Sequence, residues 1–286
     1  MTTTSETATG FFGDKLYQQR ARAVLPILIR QAKAKKPIYY ETLAQEMGMP
    51  NPRNLNYPLG CIGDALNALA EEWGSEVPHI QSIVVNQATD LPGPGFDGFL
   101  TSQGFAWETK AERRAVIETY WAKVTSYPYW NDVLEALGLE PTKTALADLI
   151  DRAGHGGGGG EGPEHLALKM FVSKNPAVVG LKPDDADGEV EFCLPSGDSV
   201  DVVFNQKRRV RAVEVKPAGA SVEDVTRGLF QCVKYRAVLE ARAGYLHDER
   251  PISVCLVLGG ALPTKLVELR NSLGIEVIDS ISPERN

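Results

Sequence analysis

The sequence has few cysteines and no long hydrophobic run. Its four cysteines among 286 residues are scattered, with no Cys-x-x-Cys pair and no histidine at metal-ligand spacing, so we expect neither a disulfide framework nor a structural zinc site. No apolar run approaches the roughly 18 to 20 residues that span a bilayer. The first residues lack the basic and apolar regions of a secretory signal. We therefore expect a cytoplasmic protein with no membrane segment.

Positive charge is also scarce, and it is unevenly placed. Lys and Arg total 30 against 37 Asp and Glu, a net charge of −7, and residues 54–109 contain no Lys or Arg at all. Diffuse coating of nucleic acid needs many cations and is excluded. A GxxxxGK[ST] loop and a His-Asn-His arrangement are both missing, so the sequence gives no sign of an ATPase motor or a His-metal nuclease, and the four histidines add little.

Glycine marks the boundary between two domains. Seven of the 27 glycines lie between Gly154 and Gly162, a run that behaves as a flexible tether. We predict a disordered N-terminus over 1–13, a first domain over 14–137, a linker over 138–162 and a second domain over 163–286.

The first domain is predicted to be mostly helical. Apolar spacing favours helices over 14–36, 41–47, 58–73, 107–125 and 130–137. A strand over 79–85 and a returning strand over 96–100 would form a hairpin around the Pro-Gly turn. Helix, helix-turn-helix and hairpin in that order resemble a winged-helix domain, which implies an α+β N-terminal domain.

Charge argues against the usual DNA-binding use of a winged helix. Residues 54–109 would contain the recognition helix and the wing, and they offer no cation for phosphate. Asn54, Asn56 and Asn67 could still read base edges, but we favour a protein partner for this acidic domain. The basic residues of the first helix form either a solvated face or a phosphate-binding surface; they are Arg20, Arg22, Arg30, Lys33, Lys35 and Lys36.

The second domain begins with a helix and continues as a three-strand antiparallel meander. We predict the helix over 164–172, strands over 189–194, 199–204 and 210–216, a helix over 222–242, a buried strand over 252–258, a helix over 263–273 and a short strand over 275–278. Strand alternation places Glu214 and Lys216 on one face, and Asp201 on the neighbouring strand can converge with them. Paired carboxylates in an apolar sheet favour a bound cation such as Mg²⁺.

These residues resemble a known family. Asp201, twelve residues and then Glu214-Val215-Lys216 is similar to the signature of the PD-(D/E)xK nuclease superfamily, although Val200 replaces the proline. Gln231 and Tyr235 resemble the Gln-x-x-x-Tyr element of its RecB-type branch. The resemblance implies an α/β restriction-endonuclease-like domain, with a mixed central sheet flanked by helices. It implies a Mg²⁺-dependent endodeoxyribonuclease, with Mn²⁺ able to substitute, that acts on foreign DNA or in repair.

The resemblance also implies roles for particular residues. Asp201, Glu214 and Lys216 would be catalytic, and the metal would be held by Asp201, Glu214, the Val215 carbonyl and Glu164 on the preceding helix. The DNA strand would be oriented by Gln231, Tyr235, Arg227 and Lys234. The turn Lys207-Arg208-Arg209, with Arg211, is either a phosphate-binding patch near the site or a solvated hairpin tip.

Two further expectations remain open. Enzymes of this class that cut both DNA strands often work as dimers, so the resemblance implies a homodimer. The alternative to a nuclease is a non-enzymatic DNA-binding regulator or docking protein whose second domain is inactive. The intact set of Asp201, Glu214 and Lys216 argues against that alternative.

Overall fold

The chain divides into two compact units, residues 1–143 and 144–286. The computed structural model describes residues 10–142, 162–182 and 187–283. The point of division lies inside the predicted linker over 138–162, and all of the glycine run except Gly162 lies outside the described residues. Within the described part of the chain, no helix is long and apolar enough to cross a membrane.

The first unit is built from helices around one apolar core. Leu25 and Leu28 on the first helix pack with Ile62 and Leu66 on the third, and all four are fully buried. The helices are α1 (Leu16–Lys33), α2 (Tyr40–Glu46), α3 (Asn56–Trp73), α4 (Asp97–Ser102), α5 (Lys110–Ser126) and α6 (Trp130–Ala136). Strands β1 (Ile38–Tyr39) and β2 (Val84–Val85) pair in parallel.

The predicted wing is wrong. Residues 79–85 form a 3₁₀ turn, Ile80–Ile83, followed by the two-residue strand β2, and residues 97–102 form α4 in place of a returning strand. The reason lies in the spacing of buried residues. Phe96 and Leu100 are four apart and both buried, as on one helical face, and Pro94 occupies the first turn of the preceding 3₁₀ helix.

The N-terminal segment and α1 also differ from prediction. Residues 10–13 belong to the predicted disordered stretch 1–13, yet the side chain of Phe11 is buried in the core. Arg22 donates to the carbonyl oxygens of Phe11 at 2.7 Å and Gly13 at 3.0 Å. Arg30 pairs with Glu46 at 2.5 Å. These α1 cations hold the unit together, which leaves fewer of them for phosphate.

The second unit is a five-stranded mixed sheet flanked by helices, as predicted. The strands β3 (Glu189–Cys193), β4 (Ser199–Asn205), β5 (Val210–Lys216), β6 (Ile252–Leu258) and β7 (Glu276–Ile278) lie in chain order. β3, β4 and β5 form an antiparallel meander, whereas β5, β6 and β7 are parallel. The helices are α7 (Pro163–Lys174), α8 (Val222–Leu246) and α9 (Val267–Leu273).

The two faces of this sheet carry separate cores. Val202 and Val213 pack on one face with Leu168 and Val172 of α7. Val203 and Ala212 face the other way, toward Leu229 and Cys232 of α8. α8 is the crossover that joins β5 to the parallel strand β6, a connection that requires a helix of this kind. The sheet is therefore enclosed by α7 and α8, and polar groups at its centre are shielded from water.

Candidate active site

Asp201 and Glu214 lie opposite each other in register at the point where β4 and β5 separate. The register Val202↔Val213 carries Asp201 opposite Glu214, but the ladder between the strands ends at Val202. Beyond it, the Val215 N–H donates to Oδ2 of Asp201 at 2.8 Å, so a side chain takes the place of a backbone partner. The sequence-based convergence of Asp201 and Glu214 thus has a structural basis in the end of this ladder.

His165 joins the same site, although we expected no role for it. Its Nε2–H donates to the carbonyl oxygen of Val215 at 3.0 Å and lies 3.4 Å from Oδ2 of Asp201. The expectation that the histidines add little is wrong for this residue. The missed signal was its place in a stripe with the buried residues Leu168 and Val172, three and seven positions further along α7.

Glu214 and Lys216 form a buried ion pair on the face of β5 that packs against α8. The Lys216 Nζ lies 2.6 Å from Oε1 of Glu214, and the Glu214 side chain is 4% exposed against 15% for Lys216. Gly228 on α8 permits this packing, because a Cβ there would lie 2.9 Å from the Leu256 side chain and 3.1 Å from Cε of Lys216. The Lys216 side chain is therefore mostly buried together with its partner.

The two carboxyl groups have pKa values displaced in opposite directions. Burial, with the nearby charge of Asp201, raises the pKa of Glu214 to about 7 despite the ammonium of Lys216. Burial alone would also raise the pKa of Asp201, but hydrogen bonds from His165 and Val215 outweigh it and hold that pKa below its ordinary value. Opposite displacement of neighbouring acids is typical of functional sites.

Loops at the end of β5 fix the position of Lys216. The Gly259 N–H donates to the Lys216 carbonyl oxygen at 2.9 Å. A Cβ on Gly259 would lie 2.6 Å from the backbone nitrogen of Ala218, so only glycine allows the two loops to cross. Glu164 is exposed at the start of α7, and its Oε2 would lie 4.0 Å from a Cβ on Gly219 in the same loop.

The donor chemistry suits a divalent cation. Among the described residues, no three His, Cys, Asp or Glu side chains already form a metal-binding group. The oxygens of Asp201 and Val215 nevertheless converge on one point, the Nε2 of His165. Burial raises the pKa of Glu214 in spite of Lys216, so a further cation beside this carboxylate would favour its ionised form. Carboxylate and carbonyl oxygens are ligands that Mg²⁺ prefers.

Gln231 and Tyr235, the Gln-x-x-x-Tyr pair, make hydrogen bonds within the second unit. Gln231 Nε2 donates to the Tyr235 hydroxyl at 3.3 Å, and that hydroxyl donates to the Ser199 carbonyl oxygen at 3.0 Å. Tyr235 is 3% exposed, and Oε1 of Gln231 is buried without a hydrogen-bond partner. Tyr235 therefore holds the start of β4, two residues before Asp201, while Gln231 keeps an unused acceptor.

The other predicted contacts to substrate lie along α8. Lys234 is exposed and pairs with Asp198 at 2.7 Å, in the turn that leads into β4. Arg227 lies 3.1 Å from Asp224 on its own helix and is partly buried. Both cations belong to α8, the helix that covers Lys216. Arg227 lies in its N-terminal half and Lys234 near its middle.

The basic turn does not lie near the carboxylates. Lys207, Arg208 and Arg209 are exposed at the far end of the β4–β5 hairpin, five residues or about 17 Å along β5 from Glu214. Arg211 is buried and pairs with Glu276 at 2.8 Å, so its predicted place in a phosphate-binding patch is wrong.

Arg250 fixes the base of that hairpin. Its guanidinium donates to Oδ1 of Asn205 at 2.8 Å and to the Gln206 carbonyl oxygen at 2.6 Å, and it pairs with Asp248 at 2.6 Å. The turn thus carries three exposed cations on a braced support.

No model of a known protein family, no curated protein and no solved structure matches this chain.

Proposed function

We propose that the second unit is a Mg²⁺-dependent endodeoxyribonuclease that hydrolyses phosphodiester bonds of DNA. The observation that carries the proposal is the grouping of Asp201, Glu214, Lys216 and His165 around the Val215 peptide at the end of β5. Buried carboxylates beside a partly exposed lysine suit metal-assisted hydrolysis of an anionic substrate. Foreign-DNA restriction and repair both remain settings for this activity.

Each residue of the site has a distinct part. Asp201, Glu214 and the Val215 carbonyl would hold the cation, with His165 beside them and Glu164 at the rim. When bound, Mg²⁺ lowers the pKa of a coordinated water and stabilises charge on the phosphate. Lys216 would donate to the attacking water and to the phosphate from a fixed position. Glu214 pairs with its ammonium, Gly228 lies against its stem, and the Gly259 N–H binds its backbone carbonyl.

DNA contacts are assigned to the second unit. Gln231 is partly exposed on α8, and Lys234 and Arg227 supply positive charge on the same helix. Lys207, Arg208 and Arg209 would contact phosphates away from the bond that is cut. The first unit has neither the wing nor cations over 54–109, which supports a protein partner for it rather than DNA.

The direct test compares isosteric variants in a cleavage assay. Asp201→Asn and Lys216→Met are expected to reduce cleavage by about a thousandfold, whereas Lys265→Met, on an exposed lysine outside the site, retains it. Purified full-length protein is incubated with supercoiled, linear and single-stranded DNA, with Mg²⁺, Mn²⁺ or EDTA. Equal cleavage by all three variants contradicts the proposal. Gel-shift binding without cleavage in either metal favours the non-enzymatic regulator.

A further inference from the structure

A buried lysine lies beside the site and takes no part in the proposed chemistry. Lys169 on α7 is 1% exposed, one helical turn after His165, and forms an ion pair with Glu191 on β3. The other oxygen of Glu191 accepts a hydrogen bond from the Ser199 hydroxyl at 2.9 Å. The Ser199 carbonyl in turn accepts from Tyr235 on α8. A chain of polar contacts therefore connects α7 to α8 through β3 and β4. It passes through Ser199, two residues before Asp201.

Glu191 marks an irregularity in the sheet next to Asp201. The pairs Val190↔Val202 and Phe192↔Val200 place Glu191 opposite Asp201. Glu191 has φ +57, a left-handed conformation that glutamate rarely adopts. Such a conformation persists only where the surroundings hold it in place, and here Lys169 and Ser199 grip both carboxylate oxygens.

The irregularity changes which face of the sheet the side chains occupy. Val202 packs in the α7-side core, yet Val200, two residues earlier on the same strand, packs in the α8-side core with Phe192. Regular alternation would put Val200 and Val202 on one face. The face therefore switches at the Glu191–Asp201 position. This switch leaves the Asp201 carboxylate beside the Val215 N–H and His165 instead of in a regular ladder.

We propose that Lys169 is a positioning residue: through Glu191 and Ser199 it holds the switch that aims Asp201 at the Val215 peptide. Only one part of this inference rests on the proposed function, namely that the orientation of the Asp201 carboxylate serves catalysis. Lys169→Met is the matching variant, because methionine fills a similar volume and the remaining carboxylate of Glu191 is 55% exposed and stays solvated. Lys174→Met, on an exposed lysine of the same helix, is its control.

The test uses two readouts on full-length protein. Without metal, hydrogen exchange of the Val215 amide, followed by NMR, is expected to accelerate about tenfold in Lys169→Met while the Leu256 amide in β6 is unchanged. Mn²⁺ binding, measured by calorimetry, is expected to weaken about tenfold. Glu191→Gly removes the carboxylate but accepts φ +57, and it should reproduce both effects. Glu191→Gln keeps acceptor and donor atoms and should show smaller ones.

The outcomes separate this inference from the proposed function. Unchanged exchange at Val215 in Lys169→Met, or equal acceleration at Val215 and Leu256, overturns the positioning role. If Lys169→Met does not fold, Glu191→Gly decides by the same criteria. If wild-type protein binds no Mn²⁺ and cleaves no DNA while Val215 still responds to Lys169→Met, the positioning role stands and the nuclease proposal fails.

Discussion

The two units bury polar groups in different ways. In the first unit, His79 is 7% exposed, stacks on Phe99 at 3.8 Å, donates from Nε2 to Asn67 at 2.8 Å and accepts from Gln81 at 3.0 Å. Every partner is neutral. In the second unit the buried groups include charged ones, such as Glu214, which pairs with Lys216, and Lys169, which pairs with Glu191. A neutral cluster of this kind serves the fold, whereas a buried carboxylate with a raised pKa is typical of a functional site.

This contrast predicts that the units respond to pH in opposite directions. Burial lowers the pKa of His79 from 6.5 to about 4. As pH falls below 6.5 the unfolded chain takes up this proton first, so the first unit loses stability down to pH 4, by about 3 kcal/mol in all. All four tryptophans lie in the first unit. Urea unfolding followed by tryptophan fluorescence therefore measures the effect.

The matched control for that measurement is His79→Gln. Without an imidazole, the free energy of unfolding of the first unit should change less between pH 6.5 and pH 4 than in the wild type. Equal pH slopes for the two proteins would show that His79 does not carry the dependence.

In metal-free protein, the second unit should instead lose stability as pH rises. The pKa of Glu214 is raised from 4.5 to about 7, so its contribution to stability is complete below pH 4.5 and is lost as pH rises through 7. The loss amounts to at most about 3 kcal/mol. Urea unfolding in EDTA, monitored by methyl NMR signals of Val213 and Val257, should show it, and Glu214→Gln should abolish it. A second unit that gains stability over this range contradicts the raised pKa.

Glycine substitutions sharpen the same comparison. Gly259→Ala places a Cβ 2.6 Å from the backbone of Ala218, and the overpacking should cost about 2 kcal/mol. In the first unit, a Cβ on Gly63 meets only the movable amide end of Gln81, also at 2.6 Å, so Gly63→Ala should cost less. Gly244→Ala, with open space around it in α8, should be neutral or stabilising. Thermal unfolding of the three variants measures the order of these stability changes.

The smallest predicted effect concerns Tyr235. Tyr235→Phe removes only the hydroxyl that donates to Ser199, and it should lower the free energy of unfolding of the second unit by about 1 kcal/mol. Cleavage should fall modestly, because β4 carries Asp201. A loss of cleavage as large as that of Lys216→Met, with stability unchanged, would instead place the hydroxyl against substrate.

Most of the second unit could be predicted from sequence because its pattern is local. Alternating strands such as Val210–Lys216, separated by polar turns, specify the meander, and the observed β5 has the predicted bounds. The first unit was harder. The run 96–100, Phe-Asp-Gly-Phe-Leu, combines two aromatic residues with a glycine, and only its packing in the core decides that it is helical.

The candidate site was predictable only where its residues belong to one short pattern. Asp201, Glu214 and Lys216 follow from strand periodicity. His165 and Lys169 come from a helix some 30 residues earlier in the chain, and their place depends on which face of α7 packs on the sheet. The change of side-chain face at Glu191 could not be predicted, because no sequence pattern indicates a glutamate in the left-handed backbone conformation.

The hairpin braced by Arg250 sets a length scale for any bound duplex. Its exposed cations lie about 17 Å along β5 from Glu214, and base pairs of DNA rise about 3.4 Å each. That span corresponds to about five base pairs, roughly half a helical turn. If the second unit binds DNA as proposed, a duplex lying along the hairpin would present one groove to the carboxylates and, half a turn further on, the other groove to Lys207, Arg208 and Arg209.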